Sequence, residues 1–292
     1  MSISSVDGTS SDIVYVTNQG VFLKFIDDLG HRAIRPFVYT LEVLRLVYLS
    51  GRAILFDHSQ SLRSIFSVVS SQVYFTGWQA MPLITMLALA TGGASILQTS
   101  MQLTFFGNAS MLGNLLIVII VREVGPLLTA LIVIARSGTA VASEIGNMRA
   151  NREIEALETM GINPLSYIVF PRILGGMISV LCLAFYFSAI ALFGGHLVAQ
   201  MITKLPLSFF IETLAQAFSM EDAAVFLIKN SFSGLIIFMV SCYQGLSVKQ
   251  SSHEVPQVTT NAVVNSIVYV TIFHALVTTF CYLNQLTRLG LL

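Results

Sequence analysis

The chain has 292 residues, of which 55% are hydrophobic and only 10% charged, with a formal net charge of zero; its mean hydropathy is +0.79. An ordinary soluble domain carries roughly 25% charged residues, so a water-soluble globule of this length is excluded and the bilayer is the natural solvent. No nucleic-acid partner is expected.

Residues 1–28 are polar, end in the apolar patch Val21–Phe25, and read as a cytoplasmic extension. With Asp7, Asp12 and a run of serines, they lack the basic-then-apolar order of a secretory signal. From Arg35 to Phe56, the apolar residues Phe37, Leu41, Leu44, Val47, Tyr48 and Leu55 recur near helical spacing, and Glu42, Arg45 and Arg52 interrupt any crossing. This pattern predicts an amphipathic elbow helix in the plane of the interface, against the plainer reading of a soluble helix packed on a neighbour.

No Asp, Glu, Lys or Arg lies between Arg63 and Arg122, and similar gaps run from Arg172 to Lys204, Lys229 to Lys249 and Glu254 to Arg288. A crossing needs about 20 apolar residues. Five transmembrane helices are therefore expected near Trp78–Met101, Met111–Ala135, Leu174–Ile202, Ala224–Val248 and Thr260–Leu283. With the N-terminus in the cytoplasm, eleven Lys and Arg face inward and two, Lys204 and Arg288, face outward. That positive-inside bias puts the C-terminus outside.

Arg136–Asn163, between spans two and three, is the longest hydrophilic segment of this region. Asn151 is read as the N-cap of a helix reaching Met160, with Gly161 as its stop and Pro164 barring resumption. Ile154, Leu157 and Met160 share one side, and Arg152, Glu153, Glu155 and Glu158 occupy the others. Such a helix suits docking on a soluble partner, or equally packing on the membrane ends of the spans.

Chemistry-bearing residues are sparse. The four lysines, Lys24, Lys204, Lys229 and Lys249, follow Leu, Thr, Ile and Val, so no Gly-Lys phosphate loop is present. ATP use would require a separate subunit. The five histidines form no His-x-x-x-His pair; His196 and His274 read as packing residues rather than proton relays. Cys182, Cys242 and Cys281 read as buried small hydrophobes, not a disulfide or metal site. Lys229, near the start of span four, reads as snorkelling outward.

The costly feature is Arg122-Glu123, about 18 Å along span two and close to mid-membrane. Each charge there costs about 2.5–3.5 kcal/mol. Gly125 and Pro126 loosen the same turn, because Pro126 has no N–H for the carbonyl of residue 122. Polar, kinked backbone at this depth is tolerated where it lines a cavity. Arg122 then faces a lipid phosphate, or it belongs to an ion pair that locks spans or protomers together.

Arg122-Glu-Val-Gly-Pro126, Ala135-Arg-Ser-Gly138, Glu144-Ile-Gly-Asn-Met-Arg-Ala150, Glu155-Ala-Leu-Glu-Thr-Met-Gly161, Asn163-Pro164, Pro171-Arg172 and Val255-Pro-Gln-Val-Thr-Thr-Asn-Ala-Val-Val-Asn-Ser266 stand in order along the chain. Together they resemble the MlaE-type permeases, over a domain of residues 29–292. The resemblance implies an all-α membrane protein: an interfacial helix, five spans, and a cytoplasmic coupling helix between spans two and three. It implies a homodimer in the bacterial inner membrane, seated on a separate MlaF-type ATPase that holds the ATP and magnesium. A STAS-domain protein often accompanies that ATPase, and an MlaD-type ring of MCE-domain proteins lies on the periplasmic side. The expected activity is phospholipid movement between the inner membrane and the periplasmic path, maintaining outer-membrane lipid asymmetry. The resemblance favours a lipid cavity walled by Arg122, Glu123, Gly125 and Pro126. It assigns ATPase coupling to Glu144, Met148, Arg149, Ile154, Glu155, Leu157 and Met160. A proton-coupled lipid transporter with Glu123 and His274 as relays is the alternative, though no repeat of the spans supports it. A lipid-modifying enzyme lacks a catalytic set.

Overall fold

The computed structural model describes residues 38–53, 62–106, 109–203, 206–249 and 251–288. The regular structure among them is helical throughout. The extension 1–28 lies outside the described residues. The chain divides into two units, Met1–Tyr48 and Leu49–Leu292. Residues 38–53 form α1, a helix that leaves Leu41, Leu44 and Tyr48 exposed in one row. That row is the apolar stripe expected of an interfacial helix; the ends of the expected segment, 35–37 and 54–56, are not described.

Five helical stretches are long and apolar enough to cross a membrane, as expected: Ile65–Thr99, Gly113–Ala150, Leu165–Leu197, Met220–Leu246 and Ser252–Thr287. The first starts thirteen residues earlier than the sequence suggests. It consists of α2 (Leu62–Thr76), a break at Gly77, and α3 (Met81–Phe106). Serines and Gln72 dilute the hydropathy of α2; Ser67, Ser70 and Ser71 are exposed, whereas Gln72 is buried. Gln72 Nε2 donates to Thr76 Oγ1 at 2.7 Å, and Gln72 lies so close to α8 that a Cβ on Gly175 would stand 2.9 Å from its own.

Span two also runs on past its expected end. It contains α4 (Ala109–Leu116), a π-helical turn Ile117–Val124, α5 (Gly125–Val133), a second π turn Ile134–Gly138, and α6 (Thr139–Ala150). The stretch after Arg136 is therefore not a loop. At 38 residues the helix is about 57 Å long and projects well beyond a bilayer core. Arg136 marks the exit: its guanidinium donates to Phe75 O at 2.9 Å and Gln79 Oε1 at 2.8 Å, and it stacks over the Phe75 ring.

Next comes α7 (Glu153–Thr159), seven residues long, shorter than the ten expected. Asn151 does not cap it. Asn151 ends α6, and Arg152 takes the N-cap in the left-handed region at φ 60° with no side-chain cap bond. A long helix that must turn within two residues needs one residue of reversed backbone, and here it falls on Arg152. The expected stop holds: Gly161 has φ +76°. Ile162 N donates to Leu157 O and Gly161 N to Glu158 O, both at 3.0 Å, which is the Schellman pattern.

Span three opens with a π turn, Leu165–Val169, and α8 (Phe170–Ala189). Pro171 sits in the first turn of α8, where its missing N–H costs little. A further π turn, Ile190–Gly194, leads into α9 (Gly195–Thr203). Here α3 and span three nearly touch backbones: a Cβ on Gly92 would lie 2.0 Å from Ala191 O, and one on Gly195 2.5 Å from the Gly92 carbonyl carbon. Close small-residue contact of this kind is how helices associate in lipid.

One helix was not expected, α10 (Leu207–Ala217), which starts after Pro206 and buries Phe210 and Leu214. Span four is α11 (Met220–Leu246), opened by a capping box in which Ser219 and Asp222 satisfy each other's backbone N–H groups. Span five is α12 (Val255–Arg288) with a short turn before it. Its apolar window is only 17% buried within the chain, against 56% for span two. Of the cysteines only Cys242 is buried; Cys182 is exposed and Cys281 half-buried, so two of the three do not sit in the core as expected.

Candidate functional site: buried charges at a transmembrane cavity

The π turn Ile117–Val124 places Arg122 and Glu123 opposite α11 and α12. In this turn Gly125 N reaches back to Ile120 O, five residues rather than four. Pro126 then offers no N–H to Arg122 O. That orphan carbonyl is taken by Lys229, whose Nζ stands 2.8 Å away. Gly125 and Pro126 are buried, and they shape this backbone rather than face the cavity.

Lys229 overturns its sequence reading. It does not snorkel: it is 0% exposed. Its ammonium donates to Arg122 O, to both Glu123 oxygens at 2.9 Å, and to Thr278 Oγ1 at 2.8 Å. Thr278 in turn lies 3.1 Å from the Glu123 carboxylate. Spans two, four and five are thus tied at one point, with every Lys229 donor used. One turn along α12, His274 Nε2 sits 2.7 Å from Ser233 Oγ, which donates to Lys229 O at 2.6 Å. The hydroxyl has one proton, so Nε2 is the donor to it. His196 stacks on Phe210 with ring centroids 4.4 Å apart. Both histidines pack against neighbours, as expected.

Arg122 has a different partner, Asp222, to which its Nε donates. Asp222 Oδ2 meanwhile accepts from Ser219 N and Ser219 Oγ, both at 2.8 Å. The capping box of α11 therefore also orients the guanidinium. Neither Nη atom of Arg122 hydrogen-bonds another described residue. Arg122 and Asp222 line a cavity of about 1120 Å³, together with Asn114, Ile117, Val118, Ser219, Glu221, Ile228 and, from α12, Phe273, Val277 and Phe280. The walls are mostly apolar, with Arg122, Asp222, Glu221, Ser219, Asn114, Asn284 and Gln285 among their polar members. A separate apolar pocket of about 370 Å³ shares Ile117 and takes Phe185, Phe193, Phe218 and Phe226. Among the described residues no group of three or more His, Cys, Asp or Glu could hold a metal ion.

The second candidate set lies at the α6–α7 corner. Met160 is exposed and Leu157 and Glu155 half-buried, so they are available to a partner; Ile154 is 2% exposed and is spent inside the chain. Glu144 is engaged by Arg172 at 2.6 Å. Met148 and Arg149 are half-buried. Sequence reasoning missed Asp222 and Arg172 as partners. The Ser-x-x-Asp spacing at 219–222 was a legible signal for the cap, but no pattern announces a contact one hundred residues away.

Five apolar spans, three of which line a cavity that holds paired charges, define a multi-pass membrane protein. The MlaE permease family matches residues 69–280, and the chain belongs to that family. A probable ABC transporter permease of Rickettsia conorii is 31% identical over 73% of this chain and 82% of its own length. The intermembrane phospholipid transport system permease protein MlaE of Haemophilus influenzae is 30% identical over 70% of this chain and 79% of its own. A probable ABC transporter permease of the alga Pyropia yezoensis is 28% identical over 66% and 73%.

Proposed function

We propose that the chain is the membrane permease of an ATP-driven phospholipid transporter, working as a homodimer on a separate MlaF-type ATPase. The observation that carries the lipid assignment is Arg122, which pairs with Asp222 through Nε and lines a large, mostly apolar cavity. A phospholipid has that polarity, an anionic phosphate on apolar chains, and a guanidinium fork binds phosphate through two hydrogen bonds. The phospholipid transport named for the Haemophilus relative agrees with this chemistry. The little-buried face of span five is where a second protomer would sit. MCE-domain proteins would receive lipid on the periplasmic side, and a STAS-domain protein would accompany the ATPase. The proton-coupled alternative needs Glu123 free to exchange protons, and Lys229 and Thr278 hold it from both sides.

The docking element in this reading is α7 with Met160, Leu157 and Glu155. Leu157→Asp, or charge reversal at Arg149 and Glu155, is expected to release the ATPase while the permease still inserts. Co-purified ATPase at wild-type stoichiometry would remove α7 from that role, and ATP-independent lipid transfer by the purified complex would remove the ATP-driven reading itself.

Orientation is tested separately. Met160 and Met220 are both exposed, at 65% and 87%, and span three separates the segments that carry them. In a cysteine-free background, Met220→Cys is expected to react with an impermeant maleimide from outside intact spheroplasts and Met160→Cys only after lysis. The opposite pattern would invert the topology.

A further inference from the structure

Glu144 stands on α6 and Arg172 on the first turn of α8, and Arg172 Nη2 donates to Glu144 Oε1 at 2.6 Å. The two side chains are 28 residues apart in sequence and α7 lies between them, so the pair closes the base of the segment that carries α7. Glu144 is 22 residues beyond Arg122, about 33 Å along the helix, and takes no part in the cavity. Arg172 is 9% exposed, and its Nη1 is buried with no partner. The Arg172 side chain is 11% exposed and that of Glu144 61%, so a largely buried guanidinium meets its carboxylate at the surface; a buried cation persists only where it is paired.

The surroundings explain what such a contact does. On its other faces α6 is pressed against spans four and five. A Cβ on Gly245 would meet Ile145 Cβ at 2.8 Å, and one on Gly146 would meet Val255 at 3.4 Å. Span three reaches α6 instead through an ion pair. From α6, α7 hangs on a two-residue turn, in which Asn151 N donates to Asn147 O at 2.9 Å and Arg152 N to Arg149 O at 3.1 Å. A helix of seven residues does not hold itself. Besides the anchor of the buried Ile154, its direction is set where the chain enters from α6 and where it returns to α8, and joining those two points removes the freedom of the loop between them.

We infer that Glu144 and Arg172 are positioning residues: their ion pair is a strut that fixes α7 relative to span three, so that motion imposed on α7 reaches span three as well as spans four and five. Glu144 then acts through Arg172 rather than by touching the ATPase. The transmission rests on the reading of α7 as the docking element, whereas the bracing does not.

The full chain in lipid nanodiscs tests the bracing by amide hydrogen exchange. Arg172→Met and Glu144→Gln are each expected to speed exchange over residues 151–160 at least fivefold and to leave residues 225–245 at the wild-type rate. The swap Glu144→Arg with Arg172→Glu is expected to return exchange to within twofold of wild type. Arg172→Lys is the rescue that needs no buried carboxylate, and its rate is expected nearer to wild type than to Arg172→Met. Wild-type exchange in the single variants, a loosening that spreads through 225–245, or Arg172→Lys exchanging as fast as Arg172→Met overturns the strut.

With the ATPase bound, Arg172→Met is expected to lower lipid moved per ATP at least fivefold at unchanged subunit stoichiometry. Faster exchange at α7 with lipid per ATP unchanged overturns the transmission. A wild-type chain that recruits no ATPase defeats the proposed function, and the exchange data still decide the strut.

Discussion

Lys229→Met is expected to collapse the yield of folded protein and to lower the melting temperature in detergent more than any other single change considered for this chain. The ammonium is fully buried and bonds one carbonyl, one carboxylate and one hydroxyl on two neighbouring spans. Removing it leaves the Glu123 carboxylate without its cation, with the Thr278 hydroxyl beside it, and takes from the Arg122 carbonyl the donor that Pro126 cannot supply. Breaking one partner of a buried pair costs about 3–5 kcal/mol, which is a large part of what holds a typical domain together. The Glu123 side chain is 36% exposed, so water softens its share, and the cost falls toward the lower end. Lys229→Met with Glu123→Gln removes both charges and is expected to recover most of the loss. If Lys229→Met melts with the wild type, the network does not tie the three spans.

This network shows what the sequence made legible. The five spans were readable because long intervals contain no charge at all, and a helix buried in lipid needs nothing else to declare it. Their ends were not readable, because hydropathy stops at Arg136 while helix geometry does not: α6 continues through Glu144 and Arg149 because α11 and α12 are there to receive Gly146 and Ile145. In α2 the exposed Ser67, Ser70 and Ser71 and the buried Gln72 lowered the hydropathy, so the helix did not declare itself as part of span one. A lysine a few residues inside an apolar run reads as a snorkelling residue on any local rule, and only the fold shows that Glu123, 106 positions away, makes it a core residue. Gly161 behaved as read because a helix stop is a local property. Asn151 did not, because the turn it belongs to is decided by α6 before it and not by α7 after it. The Arg122 region was singled out by the cost of charge inside an apolar span, but the choice between cavity and ion pair was posed as exclusive. The structure has both: Arg122 Nε pairs with Asp222, and Arg122 lines the cavity.

That division sets the expectation for Arg122→Ala: lipid transport falls at least tenfold while the complex stays assembled and basal ATPase is retained. The reason assembly survives is Asp222. When Arg122 is removed, the Asp222 carboxylate, though its side chain is only 5% exposed, keeps Ser219 N and Ser219 Oγ as donors and lines a cavity of about 1120 Å³, so it is not left without hydrogen-bond partners. Arg122→Lys preserves the charge but not the planar fork that grips phosphate through two bonds, and transport is expected to drop partway. Asp222→Asn leaves a side chain that can still cap α11 and frees the guanidinium from its only carboxylate among the described residues; phospholipid retained through purification, read by mass spectrometry, is expected to rise. The opposing account is a purely structural Arg122–Asp222 lock. It requires Arg122→Ala to lose yield and melting temperature, Asp222→Asn added to it to restore both, and lipid retention to be indifferent to either change. Transport and stability therefore move apart if Arg122 serves the cavity, and together if it serves the fold.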